Sequence, residues 1–475
     1  MELRQKKWDE EAFLQVAQRE MGLWPTGKEI DLEEAIEYQK TIPDERNAVK
    51  AYMKGYEEGR TLIVACTGMA IPEHQIEFLQ YVGREADAFI FILDSFSRHA
   101  RFKESDDGLK KSLATGKSLL NGFPLVPHGV RTSRAVIGSV NRPIWVPVTG
   151  SHSEFSSLMA VAAGATQLGV NIFDDITQDA RIPLEQVILC GQFHARLVGY
   201  LEERGVSIGI RDLTIGTGVV CPPSIMIAAS IINCLMCVAQ GAKYVGTLWP
   251  VNDCLLQDLV ALKVSPKLHE SYLKQFGYHE ASKATLSLGP GTTMTTAAFP
   301  NDRSQAFAKG MYETMIAGYA RATHYHIKTA EEPFGIPTKE TTAEAVRAVR
   351  YICNTLRNQR FPETSKEFEL EARMIEMETR AIVDKVLEVG DGDVVVGIVK
   401  AIEQGLFDIP YAVGTVAGKC LAIRDVNAAV RFLDCGNLPF SNEIVAFHQE
   451  KVAERKKQEG QSDWEIIAKD LRGDA

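Results

Sequence analysis

No apolar stretch in these 475 residues is long enough to cross a bilayer. The longest, residues 224–239, falls short of the roughly 18 residues a span needs and is broken by Ser230 and Asn233. Basic charge is scarce too. Lys plus Arg number 52 against 62 Asp plus Glu, a formal net charge of −10. Proteins that wrap nucleic acid carry a basic excess or patch, so nucleic acid is not an expected partner. Asp9 and Glu10 stand where the apolar core of a secretion signal would be, so none is expected. The nine cysteines are odd in number and scattered from Cys66 to Cys435. That pattern makes no disulfide framework and fits a reducing cytoplasm. Cys234 and Cys237 form a C-x-x-C, but inside an apolar run that reads as buried helix. Two phosphate signatures are missing. Cys66-Thr67-Gly68-Met69-Ala70 holds one glycine rather than G-x-G-x-x-G. Ala114-Thr115-Gly116-Lys117-Ser118 resembles the end of a P-loop, but Lys111 occupies the first glycine position and no strand precedes it.

What remains is a globular composition, 45 % hydrophobic and 24 % charged. Residues 1–60 read as a charged helical extension with a turn at Trp24-Pro25-Thr26-Gly27. Asp31 is placed as a helix N-cap, with Glu34 completing a capping-box pattern. From residue 61 short apolar runs alternate with longer helical ones. The strand candidates are 61–66, 88–93, 143–148, 166–172, 206–210, 243–248, 283–288 and 323–328. Helical runs fall at 72–85, 154–163, 184–203, 224–240 and 302–320. Eight strands separated by helices over 61–360 predict an α/β fold, the TIM (β/α)8 barrel. A doubly wound open sheet is the structural alternative, without its glycine-rich turn. Residues 361–475 read as a C-terminal α+β region packed on the barrel.

A barrel does its chemistry where strands end. Arg98, after the second strand, can grip a carboxylate through its bidentate fork. Asp174 and Asp175, after the fourth, can hold a cation or an amine. Lys328 and Glu332, after the eighth, can hold a polyol such as ribose, lysine donating and carboxylate accepting. His324 and His326 share one face of a strand, where a metal could sit, but no third ligand is placed and barrel wall is the plainer reading. These residues describe a cytoplasmic barrel with a polar mouth and name no reaction.

Longer motifs carry a resemblance. They are Trp24-Pro25-Thr26-Gly27-Lys28-Glu29, Ser118-Leu119-Leu120-Asn121-Gly122-Phe123-Pro124 and Gly335-Ile336-Pro337-Thr338-Lys339-Glu340. Asp408-Ile409-Pro410, Ala417-Gly418-Lys419 and Gly436-Asn437-Leu438-Pro439-Phe440 follow in order. With these the chain resembles the large (epsilon) subunit of glutamate mutase, or methylaspartate mutase, over nearly its whole length. The resemblance implies an isomerase: a TIM barrel in an adenosylcobalamin-dependent carbon-skeleton mutase. It also implies a homodimer of large subunits, and a small subunit whose D-x-H-x-x-G histidine binds cobalt. This chain has no D-x-H-x-x-G. The implied chemistry is radical: Co–C homolysis, hydrogen abstraction, rearrangement and hydrogen return.

The resemblance implies that Gly68, Asn121, Phe299, Lys328, Glu332 and Ile336 contact the cofactor, with Lys328 and Glu332 on the adenosyl ribose. Of the three arginines that hold the family's diacid, only Arg98 is matched. The others fall at Cys66 and near Pro147, the family's glutamate near Val170, and its tyrosines within 174–178. The expectation is therefore a mutase with an altered substrate, one carboxylate held by Arg98 or an amine by Asp174 or Asp175. A non-catalytic barrel that grips cobalamin or a partner, and an unrelated barrel lyase or aldolase, stay open as alternatives.

Overall fold

Strands buried on both faces need apolar residues in both orientations, and the eight short runs supply them. The structure is a computed structural model describing residues 3–148, 150, 152–178, 182–215, 220–289, 291–293, 300–360, 363, 365–414 and 416–473. Its strands are β1 (Leu62–Thr67), β2 (Ala88–Phe91), β3 (Ile144–Val146), β4 (Gln167–Gly169), β5 (Gly209–Leu213), β6 (Val245–Pro250), β7 (Gly291–Thr293) and β8 (His324–Ile327). They close in chain order into one parallel barrel. Leu62 pairs with His324 and Ala65 with Ile327, so β1 meets β8 and no edge is left. This is the TIM barrel.

Alternation divides the strand residues between two cores. Ile63, Ala65, Phe89, Phe91, Val146, Leu168 and Tyr325 face the outer helices. Leu62, Val64, Ala88, Ile90, Trp145 and Leu248 fill the lumen. The helix Ala48–Glu57 plugs the N-terminal end with Ala48 and Tyr52. In the lumen the Tyr52 ring meets His324 edge-on at 5.2 Å, and the Arg211 guanidinium lies 4.8 Å from its centroid. His326 contacts Trp145 at 5.2 Å and His324 at 5.1 Å. Burial holds both imidazoles well below the usual histidine range, and Arg211 pushes the same way. Both histidines are therefore neutral wall residues. Among the described residues no group of three or more His, Cys, Asp or Glu is arranged for a metal.

Several expectations need correction. The seventh strand is not 283–288, which continues the helix His279–Leu288. Leu286 and Leu288 alternate like a strand, but Glu280, Ala281, Lys283 and Ala284 are good helix formers that carry the helix through. The strand proper is Gly291–Thr293. The fourth strand is shorter than 166–172 implies, ending at Gly169 before a helix that begins at Ile172, and the fifth is displaced from 206–210 to Gly209–Leu213. Asp31 does cap its helix, accepting from Glu33 and Glu34 N–H. Glu34, however, forms a bidentate pair with Arg134 at 2.7 and 2.8 Å, so the capping box is not closed. Gly116, in the P-loop-like segment, is the left-handed cap (φ 66°) of the helix Phe102–Thr115.

Outside the barrel, the helices Lys366–Val389 and Val394–Gln404 precede an antiparallel pair, β9 (Leu421–Arg424) and β10 (Val430–Asp434). Ser224 Oγ donates to Glu378 Oε2 at 2.6 Å and ties the first of these helices to the barrel layer. Arg431 is buried between Glu371 and Asp425, 2.8 Å from each. No helix among the described residues is long and apolar enough to cross a membrane.

Gly291 makes room for His324: a Cβ there would lie 1.9 Å from the ring. Gly291→Ala should lower stability by about 1–3 kcal/mol in a urea titration. Adding His324→Ala should restore part of the loss; a strictly additive double variant would refute the contact.

Candidate functional site

The mouth is built by the loops that follow β1, β2, β3, β4 and β8. Gly68 follows β1. A Cβ there would stand 2.7 Å from Ile92 O and 3.0 Å from Gly122 Cα, so a glycine lets the loops after β1 and β2 touch. Beside it, exposed Asn121 accepts the Ser95 N–H through Oδ1 at 3.0 Å. This bond helps start the short helix Ser95–Arg98, whose N-cap is fully buried Asp94. Arg98 closes that helix, and its Nε is buried with no acceptor among the described residues.

The loop after β3 comes down onto Arg98. Gly150 has φ 96°, and a Cβ there would lie 2.2 Å from Arg98 O. Gly150 N–H donates to Asp175 Oδ2 at 3.1 Å. Arg98, Gly150 and Asp175 therefore form one cluster. Burial first, then Asp174, pushes the Asp175 carboxyl up to about 7, against the pull of Gly150 N–H and Arg98. A neutral trio supports the same loop from below. Ser153 Oγ donates to Gly150 O at 2.9 Å and lies 3.3 Å from both Cys190 Sγ and His194 Nε2. Burial lowers His194 to about 4 and raises the Cys190 thiol well above its ordinary value. This trio is packing rather than a nucleophile.

Asp174 does not join Asp175 at this cluster. It is 6 % exposed and lies within charge reach of Asp212. Asp212 follows lumen-facing Arg211 and so faces the outer helices, where Thr214 Oγ1 donates to it at 2.6 Å. Burial pushes Asp212 up to about 8.

On the opposite side of the mouth, Lys328 Nζ donates to Glu332 Oε1 at 2.5 Å. The two side chains are 18 % and 37 % exposed. Cys66, on neighbouring β1, sits beside this pair. Burial pushes its thiol up to about 12, with Lys328 opposing and Glu332 adding to the rise. Glu331 accepts from Arg303, Thr341 and the Thr338 N–H, and so fixes the segment beyond. That segment leaves Phe334 and Ile336 exposed at 62 % and 52 % beside a cavity of about 370 Å³. Phe299 lies outside the described residues.

Asn171 is the residue whose part the sequence did not single out. Its Oδ1 accepts the Leu213 N–H at 3.0 Å, and it is 3 % exposed. Its Nδ2 has no acceptor among the described residues. A Cβ on Gly169 would lie 3.3 Å from that nitrogen and 3.1 Å from Pro147 Cα. The amide therefore overhangs the β3–β4 side of the mouth. Its position two residues past the end of β4 and three before Asp174 was the available signal.

A family model described as methylaspartate mutase E chain matches residues 42–472. A protein of Desulfitobacterium hafniense named glutamate mutase epsilon subunit is 34 % identical over 464 residues, 97 % of this chain and 95 % of the relative. A protein of the same name from Treponema denticola is 34 % identical over 461 residues, 96 % and 94 % of the two chains. Another from Escherichia coli O157:H7 is 32 % identical over 475 residues, 99 % and 98 %.

Asp212 keeps its proton in the folded state over a range where the unfolded chain releases it. Its contribution to stability is thus neutral below the ordinary aspartate pKa and turns unfavourable as pH rises toward about 8. Asp212→Asn can still accept from Thr214. It should gain stability on the order of 2–5 kcal/mol near pH 8 and almost nothing near pH 4 in denaturant titrations. An equal gain at both pH values would contradict the assignment.

Proposed function

This chain belongs to the methylaspartate mutase E chain family, and from that membership we propose that it is the barrel subunit of an adenosylcobalamin-dependent carbon-skeleton mutase. The partner in this reading is a small subunit carrying D-x-H-x-x-G, seated over the mouth, with large subunits paired as a homodimer. The observation that carries the reading is the Lys328–Glu332 pair, held at 2.5 Å beside Cys66 at the rim.

That pair fits a ribose. A vicinal diol offers two donors and two acceptors; Glu332 accepts from one hydroxyl and Lys328 donates to the other. The exposed side chains of Phe334 and Ile336, beside their cavity, offer an apolar face to a flat ring system. Gly68 and Asn121 stand on the neighbouring β1–β2 side of the mouth, where the close approach of two backbones leaves a smooth wall. When bound, adenosylcobalamin supplies hydrogen abstraction and return through homolysis of its cobalt–carbon bond. The residues of this chain bind, orient and exclude water. The plugged lumen below and the closed wall around leave one entrance, which a second subunit can cover.

The substrate in this reading is not the dicarboxylate L-glutamate. By the resemblance, two of the family's carboxylate-binding arginines fall at Cys66 and near Pro147, and burial pushes the Cys66 thiol up to about 12. A buried carboxylate without a partner costs several kcal/mol.

The test combines the full chain, a D-x-H-x-x-G small subunit and adenosylcobalamin, read by EPR on addition of single small acids. A coupled Co(II)–organic radical signal with an acid other than glutamate is the expected result. The same signal with glutamate alone would overturn the altered substrate. Silence together with no cofactor binding would overturn the mutase. Lys328→Ala should weaken adenosylcobalamin binding at least about tenfold, with the melting temperature unchanged.

A further inference from the structure

Within the mutase reading on which this rests, we infer that the mouth selects an α-amino acid with an uncharged side chain bearing a hydrogen-bond acceptor, such as a carboxamide. Arg98 takes the carboxylate, Asp175 the ammonium and Asn171 Nδ2 the side-chain oxygen.

The charges at the mouth set this class. Arg98 and Asp175 share the Gly150 turn and lie within each other's field, a guanidinium and a carboxyl that gives up its proton near neutral pH. The α-carbon of an amino acid carries a carboxylate and an ammonium side by side, the complementary pair. Arg98 and Asp175 are both used by these two groups, and neither is left for a side chain. Lys328, a further cation at the rim, is already paired with Glu332 at 2.5 Å. With Arg98 and Asp175 taken, the described residues of this cluster offer a side-chain carboxylate no second guanidinium and a side-chain ammonium no second carboxylate. Either would be desolvated without a partner, at a cost of several kcal/mol.

The floor is neutral as well. Cys66, Ile92 and Leu213 pack over the lumen cluster of Ile90, Trp145 and Leu248. Gly169 adds no side chain, and the space above it is overhung by the Asn171 amide. That amide is fixed by its bond from Leu213 N–H, so its NH₂ end has one direction to face. A buried donor left without an acceptor is unfavourable, and a neutral oxygen on the substrate satisfies it. The buried Arg98 Nε is a second such donor in the same cluster.

The test is calorimetric titration of the full chain, without cofactor, using L-glutamine, L-leucine, L-glutamate and L-lysine as probes. L-Glutamine should bind tightest, with L-glutamate and L-lysine at least about tenfold weaker. Arg98→Leu and Asp175→Asn should each lower L-glutamine affinity at least about tenfold, with melting temperatures held. Asn171→Ala should reduce L-glutamine affinity more than L-leucine affinity. L-Glutamate or L-lysine binding as well as L-glutamine would overturn the inference, as would no binding by any probe. So would unchanged L-glutamine affinity in Asp175→Asn. Selective L-glutamine binding with no radical signal in the assembled enzyme would instead count against the mutase reading and leave the recognition in place.

Discussion

The pairing of β1 with β8 is the contact on which the mouth depends. Val64 lies opposite His326 and Ala65 opposite Ile327. One step further along, that register brings Cys66 beside Lys328, at the top of the lumen. A slip of one residue would turn Lys328 toward the outer helices and Thr329 inward, since strand side chains alternate. The lysine would then lose both its place at the rim and its reach to Glu332. Barrel closure and rim chemistry are therefore one constraint. It is met because β8 is short and is pinned on its other edge by β7, whose Gly291 is the only size of residue that His324 tolerates beside it.

The same wall separates two electrostatic regimes. The lumen holds the Arg211 charge under a ceiling of neutral groups: Tyr52, two unprotonated histidines and the Trp145 ring. A second positive charge there would be repelled at short range in a medium with little screening, which is why the histidines stay neutral. Outside the wall, Asp174 and Asp212 lie within charge reach of each other, and burial pushes the Asp212 carboxyl up to about 8. At the rim, Lys328 and Glu332 are set near one another and near solvent, and Arg98 lies within charge reach of Asp175.

Much of this was legible in the sequence, and the failures have physical causes. Strand count, helix runs and the lumen position of His324 and His326 follow from alternation and length, which burial enforces directly. The seventh strand was misplaced because a strand of three residues carries too few side chains to show a period. Asp174 and Asp175 are adjacent in sequence, yet on a helix adjacent residues point about 100° apart, so one faces Asp212 and the other Gly150. Asn171 could not be assigned because its role lies in an unmade bond, and only coordinates show which donors lack acceptors. The long motifs prove to be mostly scaffolding. Gly27 is needed because a Cβ would lie 1.9 Å from Met21 O, and Glu29 accepts the Val130 N–H at 2.9 Å. Asp408 accepts from the N–H groups of Gly418, Lys419 and Cys420 at 2.7–2.8 Å.

That scaffolding reaches the mouth. Val413 N–H donates to Thr177 O at 3.1 Å, and Gly414 packs so closely on Ile176 that a Cβ would lie 1.6 Å from its carbonyl oxygen. The strap from Asp408 thus holds the helix Ile172–Gln178 from outside, while Asn171 Oδ1 anchors its start to β5. Ser153 and Gly150 brace the facing loop. Asp175 is therefore fixed from three sides before any ligand arrives. A site fixed in advance loses little conformational entropy on binding, so most of the contact energy remains for discrimination. It also cannot reshape to neutralise a charge it was not built to meet. In the proposed reading, rigidity of the supports, and not the number of charges at the rim, is what would make the difference of one carboxylate decisive.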